Sequence, residues 1–213
     1  MTRPSQRTDR LLIEAGKELI YKTGLSGLKV REVAREAGVN LGMFHYHFKT
    51  KEEFNRRLLK EIYDEFVSEF KLESSGEGDV LARLRRALLT LGRFARDNRV
   101  LATAIIQDLF RCEKGMVKFA KKNFTEHIRV LTALVLECRR TGVFVDVPLP
   151  TAMVFLAGSV ALPNVLLTVL ENNGIKLPSI PIFFDPKKTI LSDEALEQRV
   201  DLAIKALRRR EGP

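Results

Sequence analysis

The stretch AGVNLGMFHYHFKTKEEF, residues 37–54, sets His45, Tyr46 and His47 just ahead of Lys49 and Lys51 and just behind a glycine turn. Imidazole and phenol groups exchange hydrogen bonds, and ammonium groups bind oxyanions. Together they suit recognition of a polyanion. They do not suit a metal, because His45 and His47 are two residues apart and ligands sharing a helix face are three or four apart. Catalysis is not indicated either. No serine or cysteine pairs with a histidine in a nucleophile pattern, no glycine run forms a phosphate loop, and the carboxylates are scattered. The expectation is a protein that is not an enzyme and needs no cofactor and no metal. Cys112 and Cys138 form neither a CxxC pair nor a disulfide framework, which points to a reducing, cytoplasmic setting. The start, MTRPSQRTDRLLIEAGKELI, is broken by charges and does not read as a secretory signal.

The charge balance agrees with an anionic partner. The 213 residues carry a formal net charge of +9. Residues 1–60 hold 13 Lys and Arg against 7 Asp and Glu, so most of the excess is N-terminal. Nucleic acid is the natural partner for such a patch.

The elements that position these groups read as helices throughout. Leu12, Ala15, Leu19 and Ile20 share one face of a helix over about residues 6–23, which Gly24 stops. LKVREVAREAG is a second, short helix ending at Gly38. NLGMFHYHF is a third, with Asn40 as its N-cap. Thr50, followed by Glu53, opens a fourth that runs to about Leu72. Ala34, Gly38 and Phe44 have helix-turn-helix spacing: a small residue for a close crossing, a glycine for a left-handed turn, and a ring pointing into the core. Val33, Val39 and Phe48 fill the other inward positions. Leu41, Gly42, His45 and Tyr46 are left on an outer face, short and rich in donors, that fits the major groove of duplex DNA. Lys51 begins the fourth helix, where its ammonium and free backbone N–H groups can hold one phosphate.

Residues 10–54 resemble the DNA-binding domain of the tetracycline-repressor (TetR) family of bacterial transcriptional regulators. The similarity lies in RLLIEAGKELIYKTG and in VREVAREAGVNLGMFHYHFKTKEEF, with its Gly42, Phe48, Lys51 and Glu52, and it covers about a fifth of the chain. The resemblance implies an all-α homodimer that binds a palindromic operator through paired helix-turn-helix units. It also implies a variable C-terminal domain that binds a small effector and thereby weakens operator binding. Lys29 stands where the family often has Ser or Thr, so a hydroxyl cap is lost, though Lys29 can reach a phosphate itself. Met43 replaces a common threonine, and His45 a frequent tyrosine. The expected DNA-contacting set is Lys29, Asn40, Leu41, Gly42, Met43, His45, Tyr46, His47, Lys49 and Lys51. A ligand-independent, architectural DNA-binding protein is the alternative.

The expected division is a DNA-binding domain over residues 1–54 and a larger helical ligand-binding and dimerisation domain over 55–213, with the boundary inside the fourth helix. Further helices are expected at about 78–97, 99–111, 115–141, 150–171 and 192–210, the last capped by Ser192. Residues 172–190 contain three prolines and read as irregular. Residues 147–170 carry no charge, but Pro163, Asn164, Ser159 and Gly158 argue for a buried helix and not a membrane span. Ala157 and Ala161 allow close helix approach, and Leu196, Val200, Ala203 and Leu207 form a stripe on the last helix. Two such helices from each of two chains suggest a four-helix interface. The middle helices are rich in apolar rings with occasional polar groups, as small-molecule sites are. Phe66, Phe70, Phe94, Ile105, Leu109, Phe110, Phe124, His127 and Asn164 are the candidate lining, and a hydrophobic effector the expected ligand.

Overall fold

A computed structural model describes residues 4–112, 114–175 and 185–209. Among them the fold is all-α. The helices are α1 (Pro4–Gly27), α2 (Val30–Glu36), α3 (Leu41–His47), α4 (Lys51–Ser75), α5 (Val80–Asp97), α6 (Arg99–Phe110), α7 (Lys114–Asn123), α8 (Glu126–Arg140), α9 (Leu149–Asn172), α10 (Pro186–Thr189) and α11 (Asp193–Leu207). The chain divides into two compact units. One holds Met1–Glu65 and Val100–Asn123, the other Phe66–Arg99 and Phe124–Pro213. The first division falls in α4 between Glu65 and Phe66, and residues 100–123, expected in the C-terminal domain, cluster with the N-terminal unit.

In the first unit, α1, α2 and α3 pack on one another. The backbone of α1 breaks at Gly24, whose φ of 68° lies in the left-handed region that glycine enters freely, and resumes as far as Gly27. Leu12, Ile13, Ile20, Val33, Phe44, Phe54 and Leu58 are its buried centre. Phe44, Phe48 and Phe54 meet with centroids 4.9–5.6 Å apart, in tilted and edge-to-face arrangements worth about 1 kcal/mol each beyond burial.

In the second unit α5 packs on α8, α9 and α11, and α9 also packs on α8 and α11. Asp79 Oδ1 accepts from Ala82 N, and Ser192 Oγ accepts from Ala195 N, capping α5 and α11. The expected helix over 115–141 is two. Asn123 Nδ2 donates to the Phe119 carbonyl, and α8 starts afresh after Thr125, which has no side-chain cap. Such local side-chain bonds compete with continuation of a helix. The last helix ends three residues earlier than expected. Val145 N donates to the Leu207 carbonyl and Arg209 N to the Val143 carbonyl, an extended pairing that forms an isolated bridge between Phe144 and Arg208. Of the irregular stretch 172–190, residues 176–184 lie outside the described residues, and Pro186–Thr189 form the short α10.

The stripe of α11 corrects an expectation. Leu196, Val200, Ala203 and Leu207 are all buried within the second unit, Val200 completely. Leu196 reaches Gly92 of α5 so closely that a Cβ there would stand 2.4 Å from its Cδ1. The stripe is used up inside one chain and is not free to pair with a second copy. On α9, Ala152, Leu156, Val160, Asn164 and Leu167 face the core, while Val154, Phe155, Leu162 and Leu166 are exposed. Ala157 and Ala161 lie between these faces, half-buried. By length and composition α9 could cross a membrane. Its buried stripe at steps of four residues is also that of a helix laid on a protein core.

Candidate nucleic-acid interface

The interface is built from the turn between α2 and α3. Gly38 takes φ 66°, Val39 N donates to the Ala34 carbonyl and Gly38 N to the Arg35 carbonyl. This pair of hydrogen bonds closes the end of α2 and turns the chain sharply. Asn40, extended at φ −74° and ψ 156°, then caps α3, its Oδ1 accepting from Met43 N at 2.9 Å. A Cβ on Gly42 would sit 3.1 Å from that oxygen, so the glycine keeps room for the cap. With seven residues α3 is too short to hold itself in water. Phe44, buried on Phe48 and Phe54, ties it down.

The anchoring decides what faces outward. Gly42, His45 and Tyr46 are exposed, Tyr46 by 74%. Leu41 and Met43 are half-buried at the margin. His47, expected on this face, turns away from it. It is half-buried, edge-on to Tyr46 at 5.1 Å, and its Nε2 is sealed from solvent without a hydrogen-bond partner. Lys49 is exposed directly after α3, and Lys51, half-buried, opens α4. Thr50 Oγ1 accepts from Glu53 N at 3.1 Å, completing the expected cap. Lys29 precedes α2 without capping it and pairs with Glu32 at 3.2 Å. An exposed pair of this kind is worth less than about 1 kcal/mol, so a phosphate can displace the carboxylate.

Of the candidate effector residues, four come together in the second unit. Phe66 stacks on Phe94 with centroids 4.2 Å apart and planes 23° apart. It also meets Phe70 at 5.4 Å and His127 at 5.6 Å. Burial pushes the His127 imidazole down to about 4, so it is neutral near neutral pH. Asn164 is fully buried. Its Nδ2 donates to the Val160 carbonyl, and its Oδ1 has no partner. Phe124 is half-buried in the same unit, whereas Ile105 and Leu109 are half-buried in the first. Phe110 does not belong to any lining: it is 83% exposed at the end of α6. The Cys138 thiol is buried and pushed up to about 11 by its surroundings, which suits a small apolar core residue.

One buried group escaped the sequence reading. Lys17 lies on the apolar face of α1, between Ile13 and Ile20, and is only 9% exposed. Its Nζ donates to Glu65 Oε1 at 2.6 Å and to Glu14 Oε1 at 3.1 Å. A charge in register with a hydrophobic stripe was the available signal.

An all-α chain whose capped α3 presents donors and rings on one exposed face, flanked by lysines, is a helix-turn-helix DNA-binding protein. Residues 12–58 match the family described as bacterial regulatory proteins, tetR family. The match runs from α1 into α4 and takes in the whole helix-turn-helix. Solved structures of TetR-family regulators share the fold over nearly the whole chain. A TetR transcription regulator from Haloarcula marismortui is 17% identical, with a TM-score of 0.73 over 95% of this chain and 98% of that one. The regulator FadR from Bacillus subtilis, in complex with stearoyl-CoA, is 15% identical, with a TM-score of 0.68 over 93% and 99%. A TetR-family regulator from Rhodococcus sp. is 19% identical, with a TM-score of 0.65 over 96% and 100%. No curated protein matches the chain.

Proposed function

We propose that the protein is a ligand-responsive transcriptional regulator, acting as a repressor, that binds a palindromic operator as a homodimer and is released by a small hydrophobic effector. The observation that carries the DNA half is the outward face of α3, Gly42, His45 and Tyr46, held by the Asn40 cap and the Phe44 anchor. Tyr46 and His45 read base edges, while Lys29, Lys49 and Lys51 hold phosphates. In a symmetric dimer two such helices engage half-sites about 34 Å apart, or a multiple of that.

The dimer forms through α9. Its exposed Val154, Phe155, Leu162 and Leu166 surround an apolar groove of about 580 Å³, floored by Gly158 and Pro163 and bordered by Ile190. A contiguous apolar face on a soluble chain marks an interface. The effector engages the region of Phe66, Phe70, Phe94 and His127, where rings predominate and the imidazole is neutral. The acyl-CoA bound by the Bacillus subtilis relative supports an apolar ligand. Effector binding favours one position of α4, and operator affinity changes only as far as the ligand prefers that position.

Selection of genomic fragments by the purified protein tests this reading. Enrichment of a common inverted repeat is expected. Recovery of fragments without a shared sequence would leave a DNA-binding protein but remove the regulator.

A further inference from the structure

The sequence of α7, KGMVKFAKKN, has four lysines and no acid. Lys114, Lys118 and Lys121 recur at i, i+4 and i+7 with Lys122 beside them, so they share one side of the helix. All of them are exposed, whereas Phe119 is buried and Met116 and Ala120 are half-buried. The apolar side is taken up by the unit and the cationic side is open. With Cys112 and Val117 the lysines line a groove of about 650 Å³. Among the described residues none of these ammonium groups meets a carboxylate, nor does the exposed Arg111 guanidinium. Like charges at this spacing repel one another, and Lys114 stands in the first turn, where the helix dipole disfavours a cation. The arrangement is unfavourable in isolation and is relieved by an anion.

Phe110, just before Arg111, is a second and independent feature. It is 83% exposed, the barest large apolar side chain among the described residues. Cys112 N donates to the Leu109 carbonyl at 3.0 Å, which closes a tight turn after α6 and keeps Phe110 two residues from the border of the groove. A bare ring beside a row of lysines fits one class of partner better than others. Protein interfaces are enriched in arginine and depleted in lysine. Duplex DNA offers phosphates, but its bases are stacked, so a ring beside the backbone stays in water. A bilayer with anionic headgroups takes both. Its negative surface potential draws the lysines, whose ammonium groups remain at headgroup level, and its acyl region accepts the ring. Two such signals hold a protein at a membrane where one does not.

We propose that the lysine face of α7 and Phe110 form a docking surface for an anionic lipid bilayer. The lysines bind headgroup phosphates, and Phe110 inserts at the edge of the acyl chains. The surface lies wholly within the first unit, on the segment Val100–Asn123. The contact is peripheral and sensitive to salt, because headgroup attraction fades within a Debye length, about 8 Å at physiological ionic strength. It does not depend on whether an effector controls the chain.

Co-sedimentation of the full chain with vesicles tests it. Vesicles of phosphatidylcholine alone should leave the protein in solution. Vesicles with about one third phosphatidylglycerol should carry it down, and high salt should release it. Because the reading face is also flanked by lysines, the variants decide. Lys118→Gln combined with Lys121→Gln is expected to weaken vesicle binding about tenfold or more. Phe110→Ser is expected to weaken it about tenfold. These positions are exposed, so Tm should not move. Lys49→Gln combined with Lys51→Gln should lower DNA affinity and leave vesicle binding within about twofold. Vesicle binding that follows Lys49 and Lys51 and ignores α7 overturns the proposal. So does vesicle binding indifferent to Phe110→Ser, and so does failure of the wild type to bind the anionic vesicles. If the α7 variant loses as much affinity for random duplex DNA as for vesicles, the face is a DNA-backbone surface and the bilayer is ruled out.

Discussion

A half-buried histidine set edge-on to phenylalanine rings has too little water to solvate a charge well. That is the position of His127 beside Phe66 and Phe70, and it lowers the imidazole pKa to about 4. The unfolded chain takes up the proton near 6.5, the folded chain only near 4. Between these values the unfolded state binds more protons, so stability falls as pH falls. The loss from pH 7 to pH 5 amounts to about 2 kcal/mol for this group alone. Melting curves across that range should show it, and His127→Phe should flatten the dependence; an equal slope in both proteins would mean the ring is wetter than it looks. At the reading face, two substitutions separate two kinds of contact. Lys51→Ala should weaken binding to every DNA sequence and reduce the slope of log K against log salt by about 0.9. Tyr46→Ala should narrow the gap between selected and random DNA more than it lowers overall affinity. Titrations at several salt concentrations measure both. Equal losses on both kinds of DNA for Tyr46→Ala would place that ring on the backbone and not on a base.

At the scale of elements, α3 depends on one cap and one anchor. Asn40→Ala removes the acceptor for Met43 N, at a cost of about 1 kcal/mol to helix and fold. Because the helix has only seven residues, that loss frays the whole reading face. DNA affinity is expected to fall further than the shift in Tm implies, and Asn40→Ser should restore most of it. What the sequence makes legible follows the reach of each interaction. The caps at Asn40, Thr50 and Ser192 act over three residues, so spacing alone reveals them. The turn at Gly38 and the burial of Phe44 and Phe48 are equally local, and the whole α2–α3 unit was readable. The break between α7 and α8 was not, because the apolar pattern runs through it and only the Asn123 side chain marks the interruption. The orientation of His47 was hidden for a related reason. Helical spacing places a residue on a face, but the end of a short helix lets the neighbouring Tyr46 and Phe48 rings decide where the imidazole goes. Lys17 was missed because its partner Glu65 is 48 residues away.

At the scale of the molecule, periodicity tells that a face is buried but not against what. The α11 stripe and the α9 surface looked alike as sequence; one is core and the other is open. This difference yields opposite expectations for two charged substitutions. Leu162→Arg places a charge on the exposed face of α9, where an isolated chain accepts it within about 0.5 kcal/mol. In a dimer built on that face the same charge is buried without a partner, which association cannot offset. The expected result is a monomer with nearly unchanged Tm extrapolated to low protein concentration. Its affinity for the selected operator should fall about a hundredfold or more, since two reading heads are no longer tethered. Val200→Asp puts a charge where no solvent reaches, between α11 and the rest of its unit, and should unfold the chain and not merely dissociate it. Sedimentation velocity and thermal melts distinguish the two outcomes. Leu202→Arg completes the set, because Leu202 is the exposed leucine of α11, 65% accessible. If that variant dissociates while Leu162→Arg remains a dimer, the subunits meet through α11 after all, and the open face of α9 serves some other partner.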